Sequence, residues 1–305
     1  MKKTIITSGI IVIVIIALYF IFKSPAQIPV DTSDTTSTTV TTSVSKATST
    51  QQVAQKNSAI TKIGTSVEHR DINAYHYGTG TTELLFIAGV HGGYEWNTSL
   101  LAYQLISYLK NNSKIIPANV SVTVIPVLNP DGLNTVVGTT TGNFTQTDVS
   151  TDDATVVSGR FNANTVDLNR NFDCDWKSSG TWQNKTVSGG TKAFSEPESQ
   201  AIQAYIKMHS PAAVVVWYSA AGGVYASNCH TGVSTETDTL TKKYASASGY
   251  SANESFDFYA TTGDMTNWLA KNSIPAISVL LTNHTDTEWS KNLAGIQALL
   301  TYYGK

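Results

Sequence analysis

Residues 211–223 read PAAVVVWYSAAGG, an apolar run that begins at a proline and ends in small residues. The part from Val214 to Trp217 contains no polar residue, which is typical of a strand buried on both faces within a parallel sheet. In open α/β sheets, ligands bind just beyond the carboxyl ends of such strands. Tyr218 and Ser219 stand at that end, so this stretch indicates both a fold class and the position of a site.

Strand patterns alternate with helical patterns on both sides of this stretch. The apolar run LLFIAGV at 84–90 precedes a helical pattern at 96–110, and a strand pattern at 274–281 precedes a helical pattern at 292–303. This alternation is typical of layered α/β folds. We therefore predict one α/β domain over residues 60–305, with a mixed, largely parallel sheet flanked by helices.

The amino-terminal residues predict a membrane anchor. The uncharged, apolar stretch from Thr4 to Phe22 follows two lysines and is closed by Lys23. As a helix it would span about 28 Å, close to the hydrocarbon thickness of a bilayer. We predict an uncleaved anchor over residues 1–23, with the rest of the chain outside the cytoplasm. A cleaved signal peptide is the alternative, although only a weak cleavage site follows the stretch.

Residues 24–59 predict a linker between the anchor and the domain. Fourteen of the twenty residues at 31–50 are serine or threonine, a composition that cannot bury enough apolar surface to fold. The domain would then lie on the outer side of the cytoplasmic membrane, on a stalk. The net charge of −2 gives no electrostatic case for a nucleic-acid partner.

The chain contains two cysteines, Cys174 and Cys229. Outside the cytoplasm, an even pair predicts one disulfide. Two buried free thiols are the alternative, because the sequence cannot test the geometry that the bond requires.

A loop after the first buried strand contains two potential metal ligands. In GVHGGYEWNT, at residues 89–98, His91 and Glu95 could both bind a divalent metal. An ordinary exposed loop is the alternative, since a histidine and a glutamate four residues apart are common.

A second loop, GRFNANTVDLNRNFDCDW at residues 159–176, contains two arginines among small polar residues. Arg160 and Arg170 have the planar, forked guanidinium that suits bidentate capture of a carboxylate. Asn169 and Asn171 add neutral hydrogen-bonding groups. A salt-bridged surface loop is the alternative.

Two shorter motifs complete the pattern. NPDG at 129–132 predicts a turn, and SEPE at 195–198 predicts a capping box that opens a helix. In their order along the chain, these four segments resemble the zinc carboxypeptidase family. The segment from Arg160 to DLNRN most resembles the carboxypeptidase E and D branch of that family. The resemblance covers essentially all of residues 60–305. It implies one zinc ion and the removal of C-terminal residues from peptides or cell-wall peptides.

The resemblance also implies roles for individual residues. His91 and Glu95 would be the first two zinc ligands. Asn169 and Arg170 would hold the terminal carboxylate of the substrate, and Arg160 would stabilise the oxyanion.

Tyr259 would be the tyrosine that closes over the substrate in this family, and a half-buried loop aromatic is the alternative. The sequence departs from the family pattern at two places. Tyr218 stands where the later zinc-binding histidine is found, and a neutral phenol with a pKa near 10 is a poor zinc ligand. Leu280, or Leu281 if the alignment shifts by one, stands where the general-base glutamate is found, and leucine cannot exchange a proton.

Two further features of the sequence bear on the metal site. The family spacing is HxxE, whereas HGGYE has one more residue, which its two glycines could absorb in a tight turn. His230 and His284 do not stand at the place of the missing ligand.

These observations predict a membrane-anchored, extracytoplasmic domain that is catalytically impaired and still recognises peptide C-terminal carboxylates. One alternative is an active zinc metallocarboxypeptidase that acts on peptides or cell-wall peptides. Another is a stalked surface interaction domain with a vestigial site.

Overall fold

The computed structural model of the protein describes residues 59–305. The predicted anchor at 1–23, and all but the last residue of the predicted linker, lie outside the described residues. Within residues 59–305, no helix is both long and apolar enough to cross a membrane.

The described residues form an eight-stranded mixed sheet and a separate hairpin of two strands. The strands are β1 (Ile60–Thr65), β2 (Asp71–Tyr77), β3 (Thr82–Ile87), β4 (Val120–Ile125), β5 (Ser179–Trp182), β6 (Lys185–Ser188), β7 (Ala213–Ser219), β8 (Gly223–Ala226), β9 (Ala252–Asn253) and β10 (Ala276–Leu281). The order in the large sheet is β1-β2-β4-β3-β7-β10-β8-β9. Its centre is parallel, since β4, β3, β7 and β10 all run in the same direction.

Seven α-helices occur in the same part of the chain. They are α1 (Trp96–Asn111), α2 (Pro130–Val137), α3 (Asp153–Ser158), α4 (Pro197–His209), α5 (Thr235–Ser248), α6 (Met265–Lys271) and α7 (Trp289–Tyr303). Apolar residues of α4 and α6 pack on one face of the large sheet, and those of α1, α5 and α7 pack on the other. The predicted α/β class, with helices on both faces of a largely parallel sheet, is confirmed.

The two faces of β7 explain why its sequence is apolar throughout. All seven of its residues are buried, because helices cover both sides of the sheet. Val214, Val216 and Tyr218 lie in the core beneath α4 and α6, whereas Val215 and Trp217 lie in the core on the opposite face. This alternation directs the Tyr218 side chain to the same side of the sheet as α6.

The NPDG motif does not form the predicted turn. Pro130 is the first residue of α2, and the Asn129 side chain caps the helix by accepting a hydrogen bond from the Gly132 amide at 2.9 Å. Proline is favoured at this helix position, because its fixed φ suits a helix and its missing N–H is not needed there.

Helix α4 begins close to the predicted position, but the predicted capping box is absent. The Ser195 hydroxyl donates to the Glu196 carboxylate at 2.7 Å, and Glu198 accepts from the Val67 amide at 3.1 Å. The Ser195 hydroxyl also accepts from Asn171 Nδ2 at 3.0 Å, so both side chains have partners distant in the chain instead of capping the helix. Pro197 at the first helical position removes one of the amides that a cap would have to satisfy.

Cys174 and Cys229 form a disulfide, as predicted, with their Cα atoms 6.2 Å apart. The bond joins the segment that precedes β5 to the segment that follows β8.

Candidate functional site

A pocket with a volume of about 170 Å³ lies at the carboxyl ends of β7 and β10, on the face that packs against α6. Seven of the eight residues predicted from the sequence line it, namely His91, Glu95, Asn169, Arg170, Tyr218, Tyr259 and Leu280. Residues distant in the sequence meet here because parallel strands end at a common edge of the sheet.

The glycines of the HGGYE motif bring His91 and Glu95 together. Residues Gly92–Glu95 form one turn of 3₁₀ helix, and Gly92 has a φ of +45°. A Cβ atom on Gly92 would lie 2.6 Å from the Gly159 carbonyl oxygen, so only glycine fits there. The turn absorbs the extra residue of the motif, and it leaves the His91 Nδ1 atom 2.8 Å from Glu95 Oε1.

Asp167 connects these two residues to Arg160, and the sequence analysis did not identify it. Its carboxylate lies 3.3 Å from His91 Nε2 and accepts from Arg160 Nε at 3.0 Å. The Arg160 guanidinium lies over the Trp182 ring, 3.8 Å from Glu95 Oε1, and is buried behind the pocket rather than in its lining. The DLNRN motif was the signal that could have revealed Asp167.

The buried charges in this cluster hold one another ionised. Burial favours the neutral form of Asp167, but Arg160 and His91 outweigh burial and keep the pKa of its carboxyl well below the usual range. Burial and Arg160 lower the pKa of His91, whereas Glu95 and Asp167 raise it further, so that the net direction is upward.

The Tyr218 side chain is held by a hydrogen bond of its own. Its ring lies 5.4 Å from the His91 ring, and its hydroxyl donates to Asn169 Oδ1 at 3.0 Å. Burial raises the pKa of this phenol well above 10, and the nearby Asp264 and Glu95 raise it further. Tyr218 is therefore a protonated hydrogen-bond donor in this site.

Arg170 contributes a buried cation with unused donors. Its two terminal nitrogens donate to the Asn169 and Thr181 carbonyl oxygens, each at 2.8 Å. Its Nε atom is buried and has no hydrogen-bond partner among residues 59–305. The guanidinium also lies 5.7 Å from the centre of the Tyr259 ring. Because arginine has five N–H donors, three remain for a ligand.

Asp264, a second residue that the sequence analysis missed, orders one side of the pocket. Its carboxylate accepts from Asn169 Nδ2 at 2.9 Å and, as the cap of α6, from the Asn267 amide at 2.8 Å. An aspartate directly before the helical pattern MTNWLAK was the sequence signal. Through these bonds Asp264 fixes the orientation of the Asn169 amide.

Leu280 lines the pocket beside Tyr218, and β10, which reads AISVLL, contains no carboxylate. His284 lies nearer to the pocket than the sequence analysis expected. Its Nδ1 atom is 3.0 Å from the hydroxyl of Ser219, a residue of the pocket lining, and its ring is 4.8 Å from that of Tyr94. Burial lowers the pKa of His284, which favours the neutral imidazole.

The fit of the site to zinc can be judged from its donors. Glu95 Oε2 is buried without a hydrogen-bond partner among the described residues, as expected of a metal ligand, whereas His91 Nε2 is buried against the Asp167 carboxylate at 3.3 Å. Catalytic zinc sites, however, use three protein ligands and an open position. At the place where the resemblance predicts the third ligand, Tyr218 offers a protonated hydroxyl. On that assignment His91 and Glu95 would supply two of the three protein ligands, and the residues present do not fit a complete catalytic zinc site.

Elsewhere in the described residues, one group of three potential metal ligands lies within 4.8 Å of one another, and it consists of Cys174, Cys229 and His230. Both sulfur atoms belong to the disulfide, so neither is a thiolate that could bind a metal.

Comparison with known proteins identifies the family of the chain and structures with the same fold. The zinc carboxypeptidase family profile matches residues 47–299. The fold is similar to murein-tripeptide amidase MpaA from Escherichia coli O157, with 21% identity, a TM-score of 0.56, and coverage of 81% of this chain and 94% of the other. It is also similar to carboxypeptidase A from Helicoverpa armigera, with 20% identity, a TM-score of 0.58, and coverage of 80% and 66%.

Bovine thrombin-activatable fibrinolysis inhibitor, solved in complex with tick carboxypeptidase inhibitor, has 15% identity and a TM-score of 0.59, with coverage of 85% of this chain and 93% of the other. At these identities, the likenesses show a shared fold. None of the curated proteins compared with the chain matches it. The family profile spans most of the chain, and the described residues have the fold of these structures. The chain belongs to the zinc carboxypeptidase family.

Proposed function

We propose that this protein is a membrane-anchored, extracytoplasmic binding domain that recognises the free C-terminal carboxylate of peptides or cell-wall peptides and is impaired in hydrolysis. The observation that carries the proposal is the buried Arg170 in the pocket lining, whose Nε atom has no hydrogen-bond partner among residues 59–305.

A terminal carboxylate is the ligand that best satisfies this arginine. Charge-assisted hydrogen bonds between a guanidinium and a carboxylate are among the strongest in proteins, and a buried cation favours an anionic partner. Asn169 lines the pocket next to Arg170 and has a second amide hydrogen available. The ring of Tyr259 also lies close to the guanidinium, with its centre 5.7 Å from the central carbon.

The impaired activity is supported by the two positions where this chain departs from the family pattern. Tyr218 keeps its proton because its pKa is raised by burial, so it does not replace a histidine ligand. Leu280 lines the pocket at the place of the general base and offers no proton acceptor. Loss of a general base alone lowers rates by about 10²–10⁴-fold.

The location and the class of ligand have separate support. The apolar amino-terminal stretch and the Ser/Thr-rich linker favour a tethered domain outside the cytoplasm, and a disulfide suits an oxidising compartment. A structure that shares the fold is named for action on a murein tripeptide, which makes cell-wall peptides a natural ligand class to test.

One observation favours an active zinc carboxypeptidase as a second candidate. Glu95 Oε2, which lies beside His91, is buried without a hydrogen-bond partner among the described residues, as it would be if a metal ion satisfied it. Metal content and turnover distinguish the two candidates.

The test uses the full-length protein in detergent. Calorimetric titration compares one peptide with a free C-terminus and the same peptide amidated, while metal analysis and mass spectrometry of the incubated peptide measure zinc content and hydrolysis. We expect binding of the free form only, substoichiometric zinc and no released residue. Equal binding of both forms would contradict carboxylate recognition, and chelator-sensitive turnover would establish the active enzyme.

A further inference from the structure

We propose that the floor of the pocket selects ligands whose C-terminal residue has an uncharged side chain that donates a hydrogen bond, either a hydroxyl or a carboxamide. This inference rests on the proposed recognition of C-terminal carboxylates and assigns the class of residue that carries the carboxylate.

The floor is formed by two hydroxyl groups. Ser278 lies two residues before Leu280 on β10, so its side chain is on the same face of the sheet and further from the carboxyl end of the strand. Thr266 lies in the first turn of α6. Both line the pocket, and they are only 8% and 4% exposed. When Arg170 holds the carboxylate, the side chain on the same carbon occupies the remaining space, where these hydroxyls lie.

The hydrogen bonds of the floor have a fixed direction. The Thr266 hydroxyl donates its single proton to Asp264 Oδ1, at 2.8 Å. The contact of 3.1 Å between the Thr266 and Ser278 hydroxyls must then have Ser278 as its donor. The Ser278 proton is thereby used, and its remaining lone pair is an acceptor available to a ligand.

This direction determines which side chains suit the floor. A hydroxyl or carboxamide can donate to Ser278, whereas an apolar side chain leaves the floor without a partner. A carboxylate cannot donate a hydrogen bond to the Ser278 oxygen, and its negative charge would be repelled by that of Asp264. An ammonium is attracted by the charge of Asp264, but the oxygens of that carboxylate already accept from Asn169, Thr266 and the Asn267 amide, so direct contact would have to displace one of these donors.

The test measures the affinity of full-length protein for peptides that differ only at the last residue. Threonine is compared with its isostere valine, and asparagine with its isostere aspartate, all with free C-termini. We expect threonine to bind about three- to tenfold more tightly than valine, which corresponds to one neutral hydrogen bond. Asparagine should likewise exceed aspartate. A peptide ending in lysine should bind less tightly than the one ending in asparagine.

Two variants locate the effect. Ser278→Ala should reduce the affinity for the threonine peptide to that for the valine peptide. Ser227→Ala, the control, also removes a buried serine hydroxyl but lies outside the pocket lining, and it should keep the threonine preference.

The outcomes separate this inference from the proposed function. If no peptide with a free C-terminus binds, the proposed function fails. If such peptides bind, but valine equals threonine or lysine binds most tightly, only the selection by the floor is refuted. The peptide series on the unaltered protein decides this even if a variant does not fold.

Discussion

Tyr218 and Leu280 are direct partners in the parallel pairing of β7 with β10. Both side chains line the same pocket. The two positions where the resemblance predicts a departure from the family pattern are therefore neighbours in one pocket. A glutamate at position 280 would be a buried carboxylate beside a protonated phenol, and the cost of burying that charge without a metal couples the two positions.

The first prediction concerns restoration of the site. The double variant Tyr218→His with Leu280→Glu should bind zinc near stoichiometry and release C-terminal residues measurably, because a ligand and a base are returned to one site. Each single variant should do much less, since groups that act on one water behave as a unit. Metal analysis and mass spectrometry of the products provide the measurements.

Two controls accompany the restoration. Adding His91→Ala to the double variant should abolish both zinc binding and turnover. Leu280→Glu alone should lower the midpoint of thermal unfolding, because its carboxylate is buried without a counter-ion. Turnover by the unmodified protein that disappears in His91→Ala would show that no restoration is needed.

The second prediction concerns carboxylate recognition by Arg170. Arg170→Met should weaken binding of a peptide with a free C-terminus by about 10- to 100-fold, the value of a charge-assisted hydrogen bond. Lys185→Met provides the control, because Lys185 is an exposed cation that contacts the Trp182 ring and lies outside the pocket lining. Equal losses in the two variants would mean that net charge, not the pocket, attracts the peptide.

The third prediction concerns the disulfide. Replacing both Cys174 and Cys229 by alanine should lower the free energy of unfolding by about 4 kcal/mol, because the bond closes a loop of 55 residues in the unfolded chain. Denaturant unfolding followed by tryptophan fluorescence measures the change. Addition of a reductant should destabilise the unaltered protein and leave the variant unchanged, and an equal response of both would contradict the entropic explanation.

The fourth prediction concerns the pH dependence of stability at Glu288. Burial opposes ionisation there, but hydrogen bonds from Lys291, Thr282 and Tyr250 lower the pKa of Glu288 from 4.5 to about 2. A lowered pKa means that its contribution is complete above pH 4.5 and is lost as the pH falls towards 2. Glu288→Gln should therefore lower the melting temperature at pH 7 and have a smaller effect at pH 3. A constant difference would show that its charge does not matter.

The fifth prediction concerns location. An uncleaved anchor should keep the protein in the membrane fraction after washing with high salt, and only detergent should release it. Amino-terminal sequencing of the released protein should find the chain intact. A soluble form that begins near Gln27 would show that the segment is a cleaved signal peptide.

The sequence by itself determined the elements and the frame of the site. An uninterrupted apolar run rich in β-branched residues, such as AVVVWY, is typical of a strand covered on both faces, and helical patterns between such runs favour a layered α/β fold. His91, Glu95, Asn169 and Arg170 were identifiable because their chemistry is local to short motifs. The resemblance that these motifs carry also predicts a zinc ligand and a general base at the positions of Tyr218 and Leu280, which stays a prediction.

Only the tertiary structure decided how those residues are connected. Asp167 and Asp264 belong to the site through contacts with groups far away in the chain, and a sequence pattern of period 2 or 3.6 carries no information about such contacts. For the same reason Ser195 and Glu198 bind Asn171 and Val67, which are distant in the chain, instead of capping α4. The direction of the hydrogen bonds from Ser278 through Thr266 to Asp264 is also set by tertiary packing, because packing decides which polar groups come within about 3 Å of one another. The local sequence does not specify these contacts.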